Sequence, residues 1–255
     1  MVDTLLVGGL LGLCATALFV YVAIMLGQRP VLKSDRAAHT AFRLWWVCLA
    51  LYTASGGAGA LMAAGDFERV GIFLFLSLLG FFSLCIGFAS LAYYLLYIYT
   101  GGHRAALLVF VFYAAICVVL AVLATGASPT GIEERRWAAG LSSTGGGNAL
   151  SMWVFTVLLI FPIIGGAVAY LLVGFKVPDR TTKYRIRMVA WSLIVWFTLP
   201  LLFLAAGQFL TDTWDITALI LALLAGLAII VAYKPPAWAR RRWSIRSLSE
   251  EMPAT

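Results

Sequence analysis

Two polar aromatic side chains lie deep in apolar segments of this chain and are its best candidates for binding a ligand. Trp196 and Pro200 stand four residues apart in one segment, so the indole would lie beside the carbonyl that proline leaves without a donor. Tyr52 lies in a second apolar segment, Gln208 lies near the outer end of the segment that holds Trp196, and Asn148 directly precedes a third segment. We therefore predict an outward-facing pocket for a neutral or apolar ligand lined by Trp196, Tyr52, Gln208 and Asn148. Kinked helices packed by aromatic side chains are the simpler alternative.

The apolar segments contain no Asp, Glu, Lys, Arg or His, the residues that normally carry chemistry inside a membrane. Both histidines, His39 and His103, lie at segment ends, and Lys234 lies at the end of the last segment. A retinal protein, a haem subunit or a proton-coupled carrier would need such groups within the spans. The four cysteines lie singly in four segments. We predict no catalytic residue, no metal site and no cofactor, and therefore no enzyme.

Composition requires a lipid environment, because 63% of the 255 residues are hydrophobic, 11% are charged and the mean hydropathy is +0.98. A helix needs about 20 apolar residues to cross a bilayer. We predict an all-α, polytopic membrane protein: a seven-transmembrane-helix bundle within residues 1–233, followed by a short basic tail, 234–255. The seven segments are Leu5 to Leu26, Leu44 to Ala64, Val70 to Tyr99, Ala105 to Ala127, Ala149 to Phe175, Met188 to Leu210 and Ile216 to Tyr233.

Basic residues are distributed asymmetrically between the connections. Fifteen of the 18 Lys and Arg residues fall in the connections after the first, third and fifth segments and in the tail. The positive-inside rule then puts the N-terminus outside and the C-terminus in the cytoplasm, in the plasma (inner) membrane of a bacterium. The net charge of +7 is thus a topology signal and gives no support to nucleic-acid binding. In the tail, Arg240, Arg241 and Arg242 are predicted to contact lipid or a cytoplasmic partner.

Tryptophans fall near both predicted boundaries, as an aromatic belt requires. Trp45, Trp46, Trp191, Trp238 and Trp243 are expected near the cytoplasmic one, and Trp137, Trp153 and Trp214 near the outer one.

Proline and glycine mark bends and close contacts. Pro162 and Pro200 are predicted hinges in the fifth and sixth segments. The run Gly56-Gly57-Ala58-Gly59 is predicted to allow close helix contact. In the long outer connection, residues 132–137 are expected to form a short interfacial helix or part of a surface loop, with a lid over the pocket as a further alternative.

A faint internal repeat links the two halves. Gly27-Gln28-Arg29-Pro30 leads into a basic linker that ends at Arg43, and Gly174-Phe175-Lys176-Val177-Pro178 leads into one that ends at Arg187. This pattern indicates a 3+1+3 arrangement of parallel halves, as in several transporter folds. The positive-inside rule alone would also produce most of the similarity.

The end of the third segment, Tyr97-Ile98-Tyr99-Thr100-Gly101-Gly102-His103-Arg104, resembles the Tyr-Thr-Gly-Arg ending of the third helix in the seven-helix sensor regions of bacterial histidine kinases. In this chain Gly102 and His103 precede Arg104 and interrupt that ending. The resemblance implies sensing of a stimulus and relay to a cytoplasmic catalytic domain, which here would have to be a separate signalling protein.

Three functions are compatible with these observations. The expected one is a receptor or sensor-like module that recognises a neutral or apolar ligand and signals to a cytoplasmic partner. The alternative is a facilitative transporter of a neutral small molecule, built from two three-helix halves. An accessory subunit of a membrane complex is the third.

Overall fold

The computed structural model describes residues 2–29, 31, 33–67, 69–125, 128–144, 155–206 and 211–245. These residues form eight α-helices: α1 (Val2–Gly27), α2 (Arg36–Ala64), α3 (Val70–Thr100), α4 (His103–Thr125), α5 (Phe161–Lys176), α6 (Arg180–Ala206), α7 (Thr211–Tyr233) and α8 (Ala237–Trp243). A π-helical turn, Phe155–Ile160, leads into α5.

Six helices in the described residues are long and apolar enough to cross a membrane, which confirms a multi-pass helical membrane protein. They are α1 to α5 and α7. The remaining predicted span corresponds to α6, whose predicted last residues 207–210 lie outside the described residues. A count of seven spans therefore stays a prediction.

The helices pack in two groups of three that meet at both edges. Helices α1, α2 and α3 pack in sequence, as do α5, α6 and α7. Helix α7 packs against α1, α3 packs against α5, and α4 lies against α3. The arrangement is a closed bundle in which the first helix touches the last spanning helix.

Glycines bring α1 and α2 into backbone contact. A Cβ added at Gly12 would lie 2.9 Å from the Cα of Gly57, and one added at Gly57 would lie 3.1 Å from the carbonyl oxygen of Gly9. The hydroxyls of Thr16 and Thr53 lie 3.0 Å apart across this contact and share a hydrogen bond. The predicted close contact is confirmed at Gly57, because only small residues allow two helix backbones to approach so closely.

The basic linkers are partly helical, contrary to their interpretation as connections. Helix α2 begins at Arg36 and α6 begins at Arg180, so Arg43, Arg185 and Arg187 lie within helices. Asp179 caps α6, since its carboxylate accepts a hydrogen bond from the backbone N–H of Thr182 at 2.7 Å. Hydrogen bonds from Thr182 hold the pKa of Asp179 below its usual value.

A β-hairpin occupies the connection after α4. Its strands, β1 (Ser128–Glu134) and β2 (Ala139–Thr144), pair antiparallel with an irregularity between Pro129 and Gly131. The expectation of a short interfacial helix over 132–137 was therefore wrong. Ile132 and Ala139 pack against Leu5, Ala63 and Phe73 at the ends of α1, α2 and α3. We call this end of the bundle the hairpin end and the opposite, arginine-rich end the basic end.

The tryptophans divide into buried and exposed groups. Trp45 and Trp46 are buried in the bundle, with 0% and 1% of their surfaces exposed, so their assignment to the aromatic belt was wrong. Trp191, Trp238 and Trp243 are 54%, 65% and 47% exposed, as belt residues should be. Two adjacent indoles of α2 thus pack inside the bundle and do not face lipid.

An open cleft under the hairpin

One stripe of α2 changes from buried to exposed along its length. Trp45, Leu49, Tyr52 and Gly56 recur at helical spacing and so share one face. Trp45 and Leu49 are buried, whereas Tyr52 is 40% exposed and Gly56 is also exposed. No atom of the other described residues lies within 4 Å of a Cβ built on Gly56. This face therefore opens toward the hairpin end.

The open face of α2 does not point at lipid. The lipid-facing stripe of this helix is formed by Leu44, Val47 and Leu51, which are 37%, 37% and 42% exposed. At 100° per residue, Gly56 lies on the opposite side of the helix from that stripe. The exposure of Tyr52 and Gly56 therefore reports space inside the bundle.

Helix α3 shows the same gradient on its inner face. Phe88, Leu84, Phe81 and Ser77 share one stripe; Phe88 is buried, Leu84 and Phe81 are half-buried, and Ser77 is exposed. The opposite stripe carries Phe75, Leu78, Phe82 and Ile86, all exposed as expected for lipid contact. We call the space bordered by Tyr52, Gly56, Phe81 and Ser77 the cleft.

Three stacked or tilted aromatic rings close the floor of the cleft. The ring centroid of Trp45 lies 5.7 Å from that of Phe88 and 5.9 Å from that of Phe197, and the Phe88 and Phe197 centroids lie 5.6 Å apart. The three rings come from α2, α3 and α6. Such contacts between rings contribute about 0.5–1.5 kcal/mol each. The floor therefore joins both halves of the bundle.

The hairpin is attached above the cleft on two sides. Its turn places the Arg135 side chain 3.4 Å from the carboxylate of Asp215 near the start of α7. The backbone carbonyl of Trp137 lies against Gly8 of α1, where any Cβ would collide with it. Tyr52 is within electrostatic reach of both Arg135 and Asp215. The hairpin thus bridges from the first three helices to α7, across the mouth of the cleft.

The structure brings together only part of the predicted pocket. Tyr52 borders the cleft, whereas Trp196 is half-buried at floor level and packs edge-to-face against Phe19 of α1, with ring centroids 6.2 Å apart. Among the described side chains no hydrogen bond or ring contact joins Trp196 to Tyr52. Gln208 and Asn148 lie outside the described residues.

The two predicted hinges differ in what surrounds them. Pro162 is exposed and follows directly on the π-helical turn, so the regular helix begins beside it. The helix backbone is therefore irregular next to Pro162, as a hinge there requires, because π-helical turns are sites of helix distortion. The helix backbone of α6 continues through Pro200 to Ala206.

Four residues of the site were not predicted from the sequence. Gly56 and Ser77 border the cleft, and Arg135 and Asp215 hold the hairpin across it. The two ion-pair residues are far apart in the chain, and no local pattern pairs them. Gly56 was predicted to make a helix contact, which Gly57 makes instead. The helical spacing of Trp45, Leu49, Tyr52 and Gly56 is the sequence signal that could have identified this face of α2.

The basic end of the bundle is packed. Tyr94 is stacked on Phe42, with ring centroids 4.4 Å apart, and its hydroxyl lies 3.3 Å from that of Tyr170. The guanidinium carbons of Arg29 and Arg185 lie 5.4 Å and 5.5 Å from the ring centre of Tyr233. Such cation–π contacts favour placing charge against aromatic surface. Among the described residues, the basic end is therefore packed, whereas the inner faces of α2 and α3 are exposed toward the hairpin end.

The described residues contain no group of three or more His, Cys, Asp or Glu side chains that could hold a metal ion. Comparison with known proteins found no matching family model and no matching curated protein.

Proposed function

We propose that this chain is a seven-helix receptor or sensor-like module, with the hairpin end outside the cell and the basic end in the cytoplasm. A neutral or apolar small molecule binds in the cleft beneath the hairpin. The observation that carries the proposal is the change in side-chain exposure along the inner faces of α2 and α3. Both faces are buried at the floor and become exposed at Tyr52 and Ser77. Binding sites in helical bundles are typically apolar spaces of this kind with a few polar groups.

The chemistry of the cleft sets the class of ligand. Tyr52 and Ser77 supply hydroxyl groups, and Phe81 and the indole of Trp45 supply apolar surface below them. The charged groups at the mouth, Arg135 and Asp215, are paired with one another. A neutral ligand leaves this pair intact, whereas an ionic ligand would compete for it. The cleft is therefore suited to a neutral molecule with an apolar body.

Signal transmission would pass through the aromatic floor. Phe197 of α6 contacts rings of α2 and α3, and the neighbouring Trp196 contacts Phe19 of α1. A ligand that presses on this floor shifts α6 relative to α1, α2 and α3. Helix α6 also carries Arg185 and Tyr184 at the basic end, where a separate cytoplasmic partner would detect the shift.

Cysteine accessibility tests the cleft directly. In a background lacking the four native cysteines, Gly56→Cys and Ser77→Cys should react with a membrane-impermeant thiol reagent applied from outside. Leu51→Cys and Leu78→Cys are matched controls on the lipid faces of the same helices and should stay unmodified, because a thiolate does not form in lipid. Equal labelling of inner and lipid-facing positions would contradict the cleft.

The same variants test ligand recognition and direction of signalling. Neutral aromatic and aliphatic solutes, screened one at a time, should slow labelling at Gly56→Cys, and a protecting solute should alter co-purification of a cytoplasmic enzyme with the wild-type protein. Protection without any co-purifying enzyme or conformational response would argue against a sensor. Lack of protection by every neutral solute, with protection by ionic ones, would contradict the assigned ligand class.

A facilitative transporter for a neutral solute is the second candidate, and the internal repeat favours it. Gly27 lies against the guanidinium of Arg43, with a built Cβ 2.7 Å from Cζ, and Gly174 lies against Ile186 and Arg187 at 2.7 Å and 3.7 Å. Each glycine therefore lies against the first turns of the second helix of its half, at or next to the arginine that ends the basic linker. Counterflow of the protecting solute in proteoliposomes would support the transporter over the sensor.

A further inference from the structure

Helix α8 presents a cationic and aromatic surface. Arg240, Arg241 and Arg242 are exposed, and so are the indoles of Trp238 and Trp243. Ala239 is completely buried, so the helix is docked on the bundle through a small side chain and leaves its larger ones outward. This composition is typical of helices that lie in the headgroup region of a bilayer.

The position of α8 is fixed by contacts with α6 and α7. The ring centroid of Trp243 lies 6.4 Å from that of Tyr184 in α6, and the Tyr184 hydroxyl donates to the carbonyl oxygen of Val231 in α7 at 3.4 Å. Ile245, just beyond α8, is also buried. Only Lys234 to Pro236 separate α7 from α8, a distance of at most about 11 Å of extended chain. Helix α8 therefore lies close to the membrane surface.

Helix α6 continues this surface. Arg180, Tyr184, Arg187 and Trp191 share one stripe by helical spacing. Trp191 is 54% exposed, and Arg187 and Arg180 lie one and three turns closer to the start of α6 at the basic end. The Arg187 guanidinium carbon lies 4.4 Å from the ring centre of Phe175. An indole at the edge of the hydrocarbon with cations beyond it is the arrangement expected where phospholipid headgroups lie.

We propose that α8 and this stripe of α6 form a binding site for an anionic phospholipid, with its phosphate-bearing headgroup held by the arginines. Guanidinium groups bind phosphate through paired hydrogen bonds, and Trp238, Trp243 and Trp191 place apolar rings beside the acyl chains. Charge complementarity selects lipid with net negative charge, such as phosphatidylglycerol, over zwitterionic phosphatidylcholine. The inference is independent of any ligand in the cleft.

Native mass spectrometry of the purified chain with equimolar phosphatidylglycerol and phosphatidylcholine tests the site. Each basic residue near a headgroup contributes roughly fivefold in affinity. The combined variant Arg240→Gln, Arg241→Gln, Arg242→Gln should therefore lower the ratio of bound phosphatidylglycerol to phosphatidylcholine by about tenfold or more. Replacing the same three residues by Lys should preserve most of the preference, because the charge remains.

The matched control removes the same charge elsewhere at the basic end, with Lys33→Gln, Arg36→Gln and Arg104→Gln, all exposed. It should retain the lipid preference. Equal losses in both triple variants would show diffuse attraction without a site and overturn the proposal, as would an unchanged ratio in the α8 variant. Soluble glycerol phosphate should not displace the lipid; displacement at equal concentration would show a site for free phosphate instead. Accessibility of Gly56→Cys serves as the readout of folding and should be unchanged.

Discussion

Replacing Gly12 by Ala should destabilise the bundle, because the added methyl has no room. The new Cβ would lie 2.9 Å from the Cα of Gly57, 3.3 Å from its nitrogen and 3.4 Å from the carbonyl oxygen of Thr53. These are backbone atoms of a packed helix, so α1 and α2 must move apart. Overpacking of this kind costs about 1–3 kcal/mol.

The matched control is Gly56→Ala, the same chemical change in a neighbouring helix. Within the described residues, nothing lies within 4 Å of its Cβ. Both variants gain about 0.5–1 kcal/mol from replacing a helical glycine by alanine. That common term cancels, so the difference in unfolding free energy between the two variants should be the clash alone, about 1–3 kcal/mol.

Unfolding of each variant in mixed micelles with increasing dodecyl sulfate, followed by tryptophan fluorescence, gives the difference. Gly12→Ala should unfold at a lower fraction of dodecyl sulfate than wild type, and Gly56→Ala at the same fraction or a higher one. Coincident curves for the two variants would refute the reasoning, because the backbone contact between α1 and α2 would then be absent or freely adjustable.

Three further predictions concern single interactions. Arg135→Gln should loosen the hairpin and speed its cleavage by an added protease. The loss of the ion pair should cost about 0.5–1 kcal/mol, because the pair is partly exposed. Adding Asp215→Asn should increase the cleavage rate no further, and additive effects of the two substitutions would contradict the ion pair. Thr53→Val should cost about 0.5–1 kcal/mol in mixed-micelle unfolding, as expected for hydrogen bonds between membrane helices, and an unchanged midpoint would argue against the bond to α1. The lowered pKa of Asp179 means that its stabilising effect is complete above about pH 4, the usual Asp pKa, and is lost as the pH falls through the lower folded-state value. Asp179→Ala should therefore lower the melting temperature at pH 7 and converge with wild type in acid, and a constant difference down to acid pH would exclude titration of Asp179 as the cause.

The long helices could be predicted from the sequence because lipid imposes one requirement on every spanning segment. A run such as Val70 to Tyr99 needs only length and apolar composition to be identified, and α3 ends one residue later. The starts of α2 and α6 were placed too late, because Arg36 and Arg180 are polar and hydropathy does not report helix that extends into water or headgroups. The Asp179 cap would have been the better signal for α6.

The cleft could be predicted only in part, because burial depends on contacts that sequence spacing does not contain. Tyr52 was identified as a polar group within an apolar segment, and it does border the cleft. Trp45 was assigned to the membrane boundary from its position in the chain, yet it lies in the floor against Phe88 and Phe197. Which indole faces lipid and which faces the interior is decided by helix rotation, and both faces are equally apolar in this chain.

The contact between α1 and α7 also sets a delay in the biosynthesis of this protein. Tyr21 accepts a hydrogen bond from the Lys234 ammonium at 2.7 Å, and the two residues lie 213 positions apart. At a ribosomal rate of about 5–20 residues per second, the partner of Tyr21 emerges roughly 10–40 s after it. During that interval the face of α1 that later meets α7, including Leu18 against Gly226, is covered by lipid or by the insertion machinery. A chain that stops before α7 therefore leaves this face of its first helix without the helix that packs against it in the complete bundle.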